Sequence, residues 1–136
     1  MMKTCSYFLF VLLASILCCA QDSAMYRSCS KQANAQHEMN VCANDEAKRV
    51  NDELNKVYEL VLSKVHGNPV ATSKIRAAQR VWMTYRDAYI DAMYPAKDKQ
   101  AEYGSMFPME VDLLAAKLTR QQIGALQDIL RQNDPQ

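Results

Sequence analysis

VCANDEAKRVNDELNKVYELVLSKVH, residues 41–66, carries the pattern that decides the fold. Ala43, Ala47, Val50, Leu54, Val57, Val61 and Val65 recur at intervals of three and four, with Tyr58 and Leu62 widening the stripe. That period is helical. The opposite face carries Glu46, Arg49, Glu53, Lys56 and Glu59, so carboxylates such as Asp45 and Glu46 read as solvated. A helix of about six turns is therefore expected from near Val41 to His66, and Gly67-Asn68-Pro69 stops it.

Beyond that turn, Ile75, Ala78, Trp82, Tyr85 and Tyr89 form a second stripe that ends before Pro95. Within it lies AQRVWMTYRDA, residues 78–88, with the only tryptophan of the chain. Its spacing puts Gln79, Trp82 and Arg86 on one helical face. The polar segment from Pro95 to Pro108, with Gly104-Ser105, reads as a loop. A third helix is expected from Pro108, where proline suits a first turn. Its apolar set is Val111, Leu114, Leu118, Leu126 and Ile129 or Leu130, interrupted by Gln121 and Gln122. Ala24 to Met39 reads as a shorter helix. With 3 glycines and 4 prolines in 136 residues, the expected class is all-α: a small helical bundle built on an αα-hairpin.

The first 20 residues read as a signal peptide. Lys3 precedes an apolar run from Tyr7 to Leu17, and Cys18 and Ala20 supply small residues for cleavage before Gln21. The run is short for a membrane span, which needs about 20 residues. Lipidation of Cys18 or Cys19 is the alternative, but Ser15-Ile16-Leu17 lacks the small residue expected ahead of a lipidated cysteine. Residues 21–136 are then a single domain that is periplasmic or secreted, with no membrane span after cleavage. Removing Lys3 leaves 15 basic and 15 acidic residues, a balance that does not call for nucleic acid or an anionic membrane.

Export leaves only Cys29 and Cys42, and an oxidising compartment invites a disulfide between them. A zinc site built on these two and His37 lacks an evident fourth ligand. His37-Glu38-Met39-Asn40-Val41 has valine where a metalloprotease helix needs its second histidine. Nucleophile-elbow, Walker and dinucleotide motifs are missing, and His37 and His66 stand far apart without an adjoining Ser or Cys motif. No catalytic residue, metal or cofactor is expected.

The ordered set of features resembles the LprI N-terminal family, small exported bacterial proteins named after a lysozyme-inhibiting lipoprotein. The matching residues are Cys29, Met39-Asn40-Val41-Cys42-Ala43, Leu54-Asn55 with Tyr58, and Ala78-Gln79 with Trp82. They continue through Tyr85-Arg86-Asp87-Ala88, Gly104-Ser105, Leu118-Thr119-Arg120 and Leu126. The resemblance covers nearly all of residues 21–136 in order. Where such sequences commonly carry a second cysteine pair, this chain has Ile90 and Leu114, and Gln122 stands where an arginine is frequent.

Most of these motif residues read as structural. Trp82 and Tyr85 are expected to fill the hairpin interface. Arg86 is expected to lie on an aromatic ring or pair with a carboxylate of the long helix. Gln79 and Asn55 are expected to satisfy buried groups, and Asp87 to point away from Arg86. A solvent-facing Trp-Arg recognition patch is the rival reading.

Tyrosine and methionine favour interfaces, so the candidate partner surface is Met93, Tyr94, Glu102, Tyr103, Met106, Phe107, Met109, Glu110 and Asp112. Covering the open end of a small bundle is the alternative role for these residues. The resemblance implies a protein partner, with a lysozyme-like muramidase as the specific expectation. Glu102, Glu110 and Asp112 would offer a local acidic patch to a cationic lysozyme. A non-inhibitory envelope adaptor that binds another exported protein is the competing function.

Overall fold

The computed structural model describes residues 22–133. The expected signal peptide lies outside the described residues. Five α-helices follow one another: α1 Ala24–Gln32, α2 Gln36–Lys64, α3 Pro69–Met93, α4 Lys99–Tyr103 and α5 Phe107–Gln132. A single 3-10 turn, Gly104–Met106, joins α4 to α5. The protein is an all-α bundle, with a long α2–α3 hairpin, a C-terminal helix and a short disulfide-tied N-terminal helix.

Local chemistry sets the helix ends. The Ser23 hydroxyl accepts from the Tyr26 N–H at 3.0 Å and caps α1. Asn68 caps α3 by accepting from Ala71 N–H at 3.0 Å, with Pro69 in the first turn. Asp98 does the same for α4 through Ala101. Gly104 has φ 68°, a conformation that residues with a Cβ avoid, and it lets the chain turn from α4 into α5.

Two boundaries differ from the sequence expectation. The N-terminal helix ends at Gln32 rather than Met39, because Ala33–Ala35 is extended and α2 begins at Gln36. Glu38 stabilises that start by accepting from the Asn34 N–H at 2.6 Å. The expected loop from Pro95 to Pro108 contains α4 and the 3-10 turn. Apolar periodicity cannot signal a helix as short as α4, which the Asp98 cap starts.

The main core seam lies between α2 and α5. Contacts along it advance together: Asn40 donates to the Ser105 carbonyl, Asn44 to Asp112, and Arg120 reaches Glu46. The two helices therefore run parallel, and α3 returns the chain between them. Small residues explain the close approach, since Ala43, Ala116 and Thr119 are all buried at the seam. Val50, Leu54, Val61, Ala116, Ile123 and Leu126 make the core, with Val57, Tyr58, Ile75 and Trp82 packed against it.

The α2 stripe read from sequence is the core face: Ala43, Val50, Leu54, Val61 and Val65 are buried. Glu46 is not on a solvated face. It is 2% exposed, closed over by the start of α1 and by Arg120 of α5. The α3 stripe is also rotated from expectation. Ile75, Gln79, Trp82 and Arg86 turn inward, whereas Ala78, Tyr85 and Tyr89 are exposed.

Candidate functional site

The segment after α3 builds a pinned aromatic end to the bundle. Tyr94 packs edge-on against both Tyr103 and Phe107, with ring centroids 5.3 Å apart in each case. Tyr103 stacks on Phe107 at 5.6 Å. The Tyr103 hydroxyl accepts from the Ala96 N–H at 3.0 Å, and Lys99 Nζ donates to the Tyr94 carbonyl at 2.5 Å. Lys99 also pairs with Asp91 at 3.4 Å. Burial and the neighbouring Glu110 carboxylate raise the Tyr94 hydroxyl above its ordinary pKa.

This packing divides the candidate partner surface. Tyr94, Tyr103 and Phe107 are half-buried in one another. Met109 is buried, and its sulfur lies 3.8 Å from Gln36 Nε2. Asp112 accepts from Asn44 at 3.3 Å. Glu110 is half-buried beside Tyr94. Met93, Glu102 and Met106 remain exposed around the aromatic cluster. Two methionines and one carboxylate on a rigid support make a surface suited to contacting a protein.

Within residues 78–88, Gln79, Trp82 and Arg86 are the side chains that turn into the bundle. Trp82 contacts the core, and the Arg86 guanidinium lies over its ring at 5.3 Å from the centroid. Gln79 is buried and accepts from Gln122 Nε2 at 2.9 Å, joining α3 to α5. Gln122 thus does binding work inside the bundle at the position where an arginine is frequent. Asp87 does not point away from Arg86: its carboxylate accepts from Arg86 Nε at 2.8 Å. The long guanidinium reaches sideways across the angle that separates adjacent helical residues. Asn55 is exposed rather than buried, on the solvent side of α2. Tyr85 leaves the interface and is 54% exposed, at 5.9 Å from the Tyr89 ring.

Trp82→Ala is expected to cost about 2 kcal/mol, below the 3–5 kcal/mol of a fully buried tryptophan, because the ring is only half-buried. Arg86→Ala removes a stacked cation and should cost about 1 kcal/mol. Thermal melts of the two variants check both values.

Sequence reading missed the cluster around Glu46. Its carboxylate accepts from Ser23 N at 3.1 Å and from Ser23 Oγ at 2.5 Å. Arg49 donates from Nη2 at 3.0 Å and from Nε at 3.2 Å, and Arg120 reaches the same carboxylate from α5. Burial pushes the Glu46 carboxyl upward. The hydrogen bonds from Arg49 and Ser23, with the Arg49 charge, outweigh that and hold it below the ordinary value. A carboxylate whose lone pairs are taken by two cations and a helix start is a structural node. Thr119, next to Arg120, is buried and donates to the Ala115 carbonyl at 2.8 Å.

The Cys29–Cys42 disulfide ties α1 to α2 across a Cα separation of 5.7 Å. Among the described residues no cluster of His, Cys, Asp and Glu is placed to hold a metal ion.

A family model described as lysozyme inhibitor LprI matches residues 28–126. An uncharacterized protein of Rhizobium meliloti (strain 1021) is 29% identical over an alignment that covers 87% of this chain and 91% of that relative. No solved structure matches the chain. The matched span runs from just before Cys29 to Leu126, so it takes in the disulfide, Glu46 with Arg49 and Arg120, the Trp82 helix and the aromatic end.

Proposed function

This chain belongs to the lysozyme inhibitor LprI family, and from that premise we propose that it is an exported protein that seats on a lysozyme-type muramidase and blocks its substrate cleft. The observation that carries the reading beyond the family is the aromatic end of the bundle. There Met93, Met106 and Glu102 stand exposed on a support fixed by Tyr94, Tyr103 and Phe107. Thioethers adapt to a partner's contours at low cost, and a rigid support limits the ordering entropy lost on binding. Glu102, with Glu110 beside Tyr94, adds negative charge suited to a cationic muramidase. The inhibition is steric: an occupied cleft excludes the glycan, and the inhibitor itself performs no chemistry.

Export rests on the sequence of residues 1–20, with cleavage after Ala20. Among the described residues no helix is long and apolar enough to cross a membrane. The disulfide suits an oxidising compartment.

The test is a cell-wall lysis assay with a lysozyme-type muramidase and the oxidised, exported protein. Stoichiometric loss of lysis is the expected result. Met93→Asp and Met106→Asp should each weaken inhibition by about tenfold, with melting temperatures unchanged. Full lysis at a large molar excess of inhibitor would sink this reading, and an adaptor that binds another exported protein would replace it.

A further inference from the structure

Among the described residues the outer face of α3 has no partner. Val70, Val81 and Tyr85 are between 54% and 69% exposed, and Tyr89 is 38% exposed. Ala78, Ala88 and Ala92 are exposed among them. Ala78, Val81, Tyr85, Ala88 and Ala92 recur at intervals of three and four, so they form one stripe. This stripe lies to one side of the inward set Ile75, Gln79, Trp82 and Arg86, which already serves the bundle. From Ala78 to Ala92 the stripe extends about 21 Å. Isolated apolar side chains are ordinary on a surface, but a continuous stripe of this length marks an interaction face.

We propose that this face pairs with α3 of a second copy, the two helices running antiparallel about a two-fold axis at position 83. The stripe is self-complementary in that arrangement. Val81 meets the Tyr85 of the other copy, and Ala78 meets its Ala88, so large side chains oppose large and small oppose small. Charge agrees with the same register. Lys74 lies on the line of the stripe and Asp91 flanks it near the C-terminal end, whereas Arg76 and Asp87 turn to the opposite side of the helix. An antiparallel pair sets each Lys74 near the other copy's Asp91 and opposes the two helix dipoles. Lys74 lies one turn before Ala78 on the same line, and the register brings it level with Ala92 of the second copy, beside that copy's Asp91. Asp91 keeps its carboxylate 77% exposed while pairing with Lys99, so it remains open to a second cation. This pairing does not depend on muramidase inhibition and leaves Glu102 and Met106 outside the helix seam.

The test is sedimentation equilibrium of the oxidised, exported protein, with light scattering to confirm the mass. A dimer is expected at micromolar protein. Val81→Asp should raise the dissociation constant by at least about tenfold, and its circular dichroism and melting curve should match the parent's because Val81 is exposed. Lys74→Glu and Asp91→Lys should each weaken the dimer, and the double exchange should recover it. A monomer at about 100 µM would overturn the proposal. So would a dimer indifferent to Val81→Asp, or a double exchange weaker than either single one.

Discussion

Glu46→Ala is expected to lower the unfolding free energy by about 3–5 kcal/mol, because it strips a buried network of its acceptor. Arg120 is 18% exposed at its side chain, and its guanidinium would lose its partner across the α2–α5 seam. The Ser23 N–H and hydroxyl would lose theirs as well. For a domain of this size the melting temperature should fall by more than about 10 °C. Glu46→Gln separates charge from shape, since the amide fills the same space without the negative charge. The pH dependence follows from the depressed carboxyl. A group with a lowered folded pKa contributes stability above its unfolded value, here 4.5, and loses that contribution as pH falls through the folded value. The parent protein should therefore lose stability steeply below about pH 4.5, and Glu46→Gln should show a shallower acid slope. Equal slopes in urea melts taken between pH 3 and 7 would remove Glu46 from this role.

Loss of the disulfide should have the next largest effect. Cys29→Ser with Cys42→Ser opens a 13-residue separation, worth about 3 kcal/mol in the chain-entropy description. The consequence should be local first. No residue of α1 is buried, so its attachment rests on the disulfide and on the Ser23 hydrogen bonds to Glu46. In hydrogen exchange, the reduced protein should lose protection in Ala24–Gln32 while the α2–α5 seam stays protected. The two changes also interact, because a detached α1 lets water reach Glu46. A combined variant should cost less than the sum of its parts. Uniform loss of protection would show instead that α1 is integral to the cooperative core.

Much of the fold was legible because α2 is strictly periodic. Seven apolar positions at helical spacing located the core face, five of them buried and Ala47 and Val57 partly so, and Gly67-Asn68-Pro69 located its end. The α3 stripe misled because alanines, tyrosines and valine outline a second apolar face, while the inward face includes Gln79 and Arg86. Periodicity weighs hydrophobicity alone and cannot see a glutamine buried against Gln122 or a guanidinium stacked on Trp82. Glu46 was hidden for a related reason. Its nearest sequence neighbours are Asp45, Ala47 and Lys48, and the groups that close over it lie 23 residues before and 74 residues after it. Chain-local reasoning has no access to such partners. At the aromatic end, composition singled out the segment as a candidate surface but could not give its division into packed rings and exposed methionines. That division depends on how Tyr103 folds back over Ala96.

The parallel seam between α2 and α5 also governs how this chain comes into being. As the polypeptide emerges in order from its N-terminus, α2 is complete while its principal mate is still unsynthesised. Val50, Leu54 and Val61 must then wait for Ala116, Ile123 and Leu126. At ordinary synthesis rates the delay is on the order of seconds, long compared with helix formation. A nascent chain of this design carries a bare apolar ridge until α5 appears. It is in that interval that a holding factor has most to grip.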